Sequence, residues 1–115
     1  MMTRLKMMDS LEIEPREVRM EGAEGVTIRW LISKNDGAVN FAMRLFELAP
    51  GGHTPLHTHE WEHEVFIVEG RGELTFEEET RPFRQGTFIF VPEEKMHCFT
   101  NTGDGVLRFL CIVPA

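Results

Sequence analysis

A chain of 115 residues is long enough for one domain with a hydrophobic core but not for two. Its formal net charge of −7 at pH 7 argues against nucleic acid or an anionic membrane as a partner. Two cysteines, Cys98 and Cys111, are too few for a disulfide framework. No apolar run is long enough to cross a bilayer, and the N-terminal residues lack the apolar stretch of a signal peptide. The sequence therefore predicts a cytoplasmic protein.

The chain divides at residue 25. Residues 1–25 are mixed and charged, and we expect a partly ordered N-terminal arm that contributes to dimerisation, with one short strand near residues 11–13. Residues 26–115 show short strand-like runs separated by Gly, Pro and Asn turns, and no window with a helical period. The predicted strands lie at residues 26–33, 41–48, 56–59, 63–69, 73–78, 83–84, 87–91, 97–100 and 106–113. Many short strands at regular spacing predict an all-β sandwich or barrel.

Histidines cluster in the middle of this β domain. The chain has 5 histidines, and His57, His59 and His63 fall within seven residues. Residues two apart on a strand share a face, so His57 and His59 point the same way about 7 Å apart. Neutral imidazole is the commonest protein ligand for transition metals. Together with His97, these residues predict one shared metal site, whereas His53 is interpreted as a solvated loop residue or part of the site mouth.

These spacings resemble the two sequence motifs of the cupin superfamily. Gly51 is followed after five residues by His57, then by His59, by His63 after three residues, and by Gly70 after six. The second motif matches at Gly86, Pro92, His97 and Asn101, and fifteen residues separate Gly70 from Gly86. The chain resembles small single-domain cupins of the cupin_2 type, and the resemblance implies a double-stranded β-helix or jelly-roll barrel and a homodimer.

Two positions depart from the motifs. His63 stands where the family usually has Glu, so the chain resembles the four-histidine subset of cupins. Glu64 is the alternative ligand, and only one of these neighbours can face the metal; the spacing to Gly70 favours His63. Glu94 replaces the usual Gly of the second motif, which alters a turn but removes no ligand. Asn101 is interpreted as a structural residue that closes the turn after its strand.

Alternation along the strands gives the expected pocket wall. Outward placement of Arg108 puts Phe109 and Cys111 inside the barrel, and Phe99 shares the parity of His97. Arg44 is either a solvated surface residue or an inward one that holds a substrate carboxylate by a bidentate pair. The predicted wall consists of Arg44, Phe46, Val65, Phe99, Phe109 and Cys111.

Four nitrogen ligands predict an open, exchangeable site with one divalent transition metal. Affinity order favours Zn, Ni or Cu in purified protein, whereas availability favours Mn or Fe in the cell. We expect a metal-dependent oxidoreductase, similar to cupin dioxygenases, that acts on a small and largely apolar organic substrate. The alternatives are a non-catalytic ligand-binding or metal-binding cupin and a non-oxidative isomerase or lyase. The sequence identifies no catalytic residue beyond the predicted ligands.

Overall fold

The computed structural model describes residues 4–115 and shows an all-β protein with a curled, jelly-roll sheet. Within these residues two short 3₁₀ turns, Ser10–Glu12 and Lys34–Asp36, accompany the strands. The strands, in chain order, are β1 (Arg16–Glu17), β2 (Glu24–Ile32), β3 (Phe41–His53), β4 (His63–Glu69), β5 (Arg71–Phe76), β6 (Glu79–Arg84), β7 (Phe88–Val91), β8 (His97–Asn101) and β9 (Leu107–Pro114).

The long strand β3 joins the two halves of the sheet. The strand order is β6-β5-β8-β3-β9-β4-β7, and β2 adds to the side of β3 with β1 beyond it. Residues 41–48 of β3 pair with β9, whereas His53 at its end pairs with Thr100 of β8. Because β3 passes from one half to the other, the sheet curls and its inner face encloses the core.

The core follows the alternation of the strands. On β4, His63, Val65 and Ile67 are buried, while Glu64 and Phe66 are exposed. Val65 lies opposite Cys111 and Ile67 opposite Phe109 on β9. The inward residues of β9 are Leu107, Phe109, Cys111 and Val113, so Phe109 and Cys111 face inward as the sequence predicted.

Three local predictions were wrong. Residues 11–13 do not form a strand, because the Asp9 side chain accepts a hydrogen bond from the Leu11 N–H (2.8 Å) and caps a 3₁₀ turn; the strand of the arm is β1. Residues 56–59 contribute only one isolated bridge, between His57 and His97. Strand β3 continues through Pro50 to His53, since its pairing with β2 is bulged there and the proline is not needed as a donor.

A charged network fastens the N-terminal arm to the outside of the sheet. Glu47 on β3 is 9% exposed and accepts hydrogen bonds from Arg29 of β2 and Arg108 of β9, both at 2.8 Å. Arg29 also donates to the carbonyls of Leu11 and Ile13 in the arm. One guanidinium thus ties the arm to a core strand. No helix among residues 4–115 is long and apolar enough to span a membrane.

Candidate metal centre

The strand ends bring the histidines to one end of the barrel. His63 begins β4 and is 5% exposed, whereas Glu64 faces outward and is exposed. His97 begins β8 and is buried as well. Of the two alternatives at positions 63 and 64, the histidine is therefore the one inside the barrel.

Three of the four predicted ligands meet closely. Ring nitrogens of His59, His63 and His97 all lie within 4.8 Å of one another, close enough to hold one metal ion. His57 lies beside them, with its ring centroid 4.3 Å from that of His59 and 6.2 Å from that of His97. The ring nitrogen of His57 is outside the group of three, so its part in metal binding remains a prediction.

The hydrogen bonds leave nitrogen lone pairs free in this cluster. His97 Nδ1 lies 2.9 Å from the Lys95 carbonyl oxygen, which is an acceptor, so the proton is on Nδ1 and the Nε2 lone pair is available. His63 Nε2 is buried and has no hydrogen-bond partner in the described part of the chain. A buried, unpaired polar atom is costly, and a metal ion between the rings would satisfy it.

Burial keeps three of these rings, those of His57, His59 and His63, neutral. It is the main cause that lowers the pKa of His63 from 6.5 to about 3, helped by the neighbouring His59 and His97 and by the charge of Arg44. Burial, followed by the neighbouring His57 and His97 and the charge of Arg44, lowers the pKa of His59 to about 4. Burial and the nearby His97 also lower the pKa of His57. Since only a neutral imidazole binds a metal, the cluster is ready for ligation at neutral pH.

Backbone contacts hold the segment that carries His57 and His59. The N–H of Thr54 donates to the Phe99 carbonyl oxygen, and the Thr54 hydroxyl accepts from the Phe99 N–H, both at 2.9 Å. The N–H of Glu94 donates to the His59 carbonyl oxygen at 2.6 Å. Both motifs are therefore joined directly, and the ligands do not depend on side-chain packing alone.

Glu94 and Asn101 show how the second motif closes its turns. Glu94 has a φ of 59°, so it adopts the left-handed conformation for which a glycine would be favoured. Asn101 is 2% exposed and donates from Nδ2 to the carbonyls of Leu48 (2.9 Å) and Gly105 (2.8 Å), while its Oδ1 accepts from the Gly103 N–H. This geometry matches the structural role expected for Asn101.

The predicted wall residues share the inner face of the barrel. Phe109 stacks on Phe99 at 4.6 Å and on Phe46 at 5.2 Å between ring centroids. Val65 and Cys111 are buried next to them. Burial raises the pKa of the Cys111 thiol, against an opposing effect of Arg44, so the group stays protonated at neutral pH. The surroundings of the histidines are thus mainly apolar.

Arg44 points to this inner face, the inward of its two expected orientations. Its Nη2 lies 3.0 Å from the Cys111 sulfur, and its guanidinium packs over the rings of Trp30 (5.5 Å) and Phe46 (5.1 Å). Sequence reasoning missed Trp30, because its contact with Arg44 depends on the register of β2 against β3. That register shifts between Trp30 and Ile32, and the turn signal in the sequence does not reveal this shift.

Trp61 and His53 complete the surroundings of the site. Trp61 is partly exposed and stacks on the His59 ring with the centroids 5.0 Å apart, a role that the sequence left undecided. His53 ends β3 rather than lying in a loop, and its Nε2 is 3.7 Å from a Glu24 carboxylate oxygen. His53 is therefore at the rim of the sheet and outside the histidine cluster.

Comparison with known families agrees with this geometry. Residues 44–113 match the model of the cupin domain, Cupin_2. The chain belongs to the cupin family. The matched residues include all four predicted ligands and both motifs.

Individual cupins of several kinds are similar to this chain. The polyketide cyclase RemF of Streptomyces resistomycificus is 35% identical with a TM-score of 0.90, and the match covers 96% of this chain and 80% of RemF. The oxalate-binding protein of Thermotoga maritima is 34% identical over 110 residues, which are 90% of this chain and 89% of that protein. The 1-methylthio-D-xylulose 5-phosphate methylsulfurylase of Rhodospirillum rubrum is 34% identical over 73 residues, 64% of this chain. The chain spans only about half, 47%, of that enzyme's length.

Proposed function

We propose that this cupin binds one divalent transition metal through His57, His59, His63 and His97 and acts on a small, largely apolar organic molecule. The observation that carries the proposal is the buried Nε2 of His63, which has no partner in the described residues and lies in a cluster with the rings of His59 and His97. Manganese or iron is expected in the cell because of its availability, whereas zinc, nickel or copper is expected in purified protein because of its higher affinity.

Three of the four proposed ligands have separate supports in the chain. The Lys95 carbonyl fixes the His97 tautomer, the Glu94 N–H holds the His59 backbone, and the start of β4 places His63 inside the barrel. A bound ion would supply Lewis acidity and exchangeable coordination positions. Phe46, Phe99 and Phe109 would exclude water from the bound molecule and orient its apolar part.

The reaction that we put first is an oxidation of dioxygenase type. No carboxylate belongs to the group of metal-ligating side chains found in residues 4–115, and Glu47 is engaged by arginines on the outside of the sheet. An obvious general base for proton-transfer chemistry is therefore missing from the described site, which favours redox chemistry over isomerisation or elimination.

A non-oxidative ring closure is the second candidate. The likeness to the polyketide cyclase RemF, over nearly the whole chain, favours it. A substrate of that kind carries several oxygen atoms on an aromatic or carbon-chain frame, and the apolar wall and the metal centre suit such a frame equally well. Ligand binding without catalysis is a third candidate function, which the likeness to an oxalate-binding protein supports.

The first experiment measures the metal content of purified protein by elemental analysis. We expect one ion per chain in the wild type, and substantial loss in His63→Ala and His97→Ala. His57→Ala should weaken binding. His53→Ala and Glu64→Ala are matched controls, because both positions lie outside the cluster, and both should keep full occupancy. A His63→Ala, His97→Ala double variant with one tightly bound ion would contradict the assignment.

The second experiment separates the two reactions. Protein loaded with iron or manganese is incubated with phenolic, diketone and alkene substrates in an oxygen electrode. Oxygen uptake that disappears in His97→Ala supports the oxidative reaction. Product formation without oxygen uptake supports ring closure, and binding without any product supports the non-catalytic function.

We also propose the oligomeric state of the protein and its compartment in the cell. We propose a homodimer, because β4 and β7 present Phe66, Val68, Phe88 and Phe90 on the outside of the sheet, all exposed in the single chain. Residues 1–25 are proposed as an arm that contributes to it, and residues 26–115 as the barrel domain. Both cysteines are free thiols, which suits the reducing cytoplasm.

A further inference from the structure

Arg44 occupies a fixed place one step along the barrel from the histidines. The pairing of β2, β3, β9 and β4 puts four side chains of one sheet face in one row, which we call the Arg44 row: the partly exposed Trp30, then Arg44, Cys111 and Val65. His63 is two residues before Val65 on the same face of β4, so its row is the next one, about 7 Å along the strand. The guanidinium therefore lies close to the predicted metal site.

This guanidinium has no acidic partner. Among the described residues, no carboxylate lies within ion-pairing distance of Arg44, although Arg29 and Arg108 both reach Glu47 on the same strand. Its contacts are the Cys111 sulfur, which is a weak acceptor, and the faces of Trp30 and Phe46. The Nε atom is buried and has no hydrogen-bond partner. A partly buried cation with most of its donors unused is held ready for an anion.

We propose that Arg44 is the specificity-determining residue of the site and binds a carboxylate, or a similar planar oxyanion, at the end of the substrate away from the metal. This inference rests on the proposed function, since it assigns the second anchor of the same ligand. A planar guanidinium matches a carboxylate in a bidentate pair. Trp30 and Phe46 hold the guanidinium plane, and the Cys111 thiol leaves its charge unneutralised.

The two anchors define the class of ligand. One end of the molecule carries oxygen atoms that chelate the metal, and the other end carries a single negative charge. The part between them is small and apolar, because the anchors lie only one row, about 7 Å, apart and the neighbouring side chains of Val65 and Cys111 are buried and apolar. An aromatic or short aliphatic acid fits this description, whereas a neutral molecule of the same shape uses only one anchor.

The test compares 3,4-dihydroxybenzoate with 3,4-dihydroxybenzamide by titration calorimetry. Both chelate a metal through two ring oxygens, and they differ in charge at the far end of the ring. The protein is loaded with Zn²⁺ so that no redox reaction occurs. We expect the wild type to bind the acid at least about tenfold more tightly than the amide, the size expected for a charge-assisted pair.

Variants of Arg44 assign that difference to the guanidinium. Arg44→Gln and Arg44→Met should bind the two compounds equally and keep the wild-type affinity for the amide, while Arg44→Lys should keep part of the preference. Arg81→Gln removes an exposed arginine, paired only with Glu79, and should behave as the wild type. Thermal melting shows which variants are folded. If the neutral variants are not folded, Arg44→Lys, which keeps the positive charge, still tests the role of the guanidinium.

A failure of the proposed Arg44 role can be distinguished from a failure of the proposed metal site. Metal content is measured on every sample before titration. Three results at full zinc occupancy would overturn the role of Arg44 alone. They are equal binding of the acid and the amide, no binding of either compound, and a preference for the acid that survives in Arg44→Gln. Absence of zinc would overturn the proposed function. Benzoate and benzamide titrated into the metal-free protein then test Arg44 separately, and equal affinities would overturn its role.

Discussion

At Glu94 the backbone adopts a conformation that is unfavourable for a residue with a side chain. Its φ of 59° places it in the left-handed region, which costs an ordinary L-residue about 1–2 kcal/mol. The turn is nevertheless kept, because the Glu94 N–H holds the carbonyl of His59. The strain is thus located next to the histidine cluster, where the two motifs meet.

Replacing this residue with glycine should stabilise the protein. Glu94→Gly removes the left-handed strain, and the greater freedom of glycine in the unfolded chain offsets part of the gain. We expect a net gain of about 0.5 kcal/mol and a rise in melting temperature of about 2 °C. Glu93→Gly is the control, since Glu93 has no positive φ, and it should destabilise. A lower melting temperature for Glu94→Gly than for the wild type would contradict the strain.

The buried histidines should make the metal-free protein sensitive to acid. The pKa values of His63 and His59, about 3 and about 4 in the folded chain, lie below the ordinary 6.5. The unfolded chain therefore takes up protons first, and stability falls as the pH drops below about 6.5. Melting temperatures in the presence of a chelator between pH 7.5 and 5 measure this loss.

A variant tests the source of this pH dependence. His63→Leu removes one of the protons taken up on unfolding, so its melting temperature should change less over the same pH range. His53→Leu changes a histidine outside the cluster and should keep the wild-type slope. An unchanged slope in His63→Leu would show that another group is responsible.

For individual residues, the sequence predicted which side chains meet better than it predicted the geometry of their contacts. The motif spacings named His59, His63 and His97, which do meet. Alternation on β4 fixes the inward face of His63, whereas His59 lies outside the regular strands. The same rule placed Cys111 and Phe109 inside. It did not give the stacking of Trp61 on His59 or of Trp30 on Arg44, since these depend on loop paths and on the register of separate strands.

Among the elements, β3 carries the largest share of the organisation. It pairs with β2, β8 and β9, and its two faces have different tasks. The inner face places Arg44 and Phe46 in the barrel, and the outer face presents Glu47 to Arg29 and Arg108. A strand with this many partners was difficult to delimit from sequence, because Pro50 and the glycines after it are usually read as a strand end.

Loss of the Glu47 carboxylate should loosen three strands and the arm together. Glu47→Ala leaves two arginines without their partner in a poorly solvated position, and we expect a loss of about 2–4 kcal/mol in the free energy of unfolding, measured by urea denaturation. Glu79→Ala is the matched control, because Glu79 forms an exposed pair with Arg81, and it should cost less than about 1 kcal/mol. Equal losses in the two variants would show that the Glu47 network has no special weight.

For the whole molecule, the outer face of β4 and β7 is the feature with the clearest consequence for assembly. Phe66 lies opposite Phe88 in the sheet, and Phe88 is 82% exposed. Monomeric proteins rarely present a contiguous apolar surface of this kind. A second copy of the chain, packed on this face, would cover it.

Light scattering tests this association. We expect the wild type to be a dimer at micromolar concentration, and Phe66→Glu with Phe88→Glu to be a folded monomer with the same metal content. Phe41→Glu changes another exposed aromatic residue, at the start of β3, and should remain dimeric. A monomeric wild type would refute the prediction.

The free ends of the sheet have a consequence for the size that such an assembly can reach. The strand order ends at β6 on one side and β7 on the other. Strand β6 carries Arg81, Pro82 and Arg84, and β7 is 4 residues long, so neither offers the long, flat ladder of unpaired backbone groups on which further strands add. We therefore expect no growth by strand addition at β6 or β7, and we expect association through the exposed face to end in a closed pair of subunits rather than a fibril.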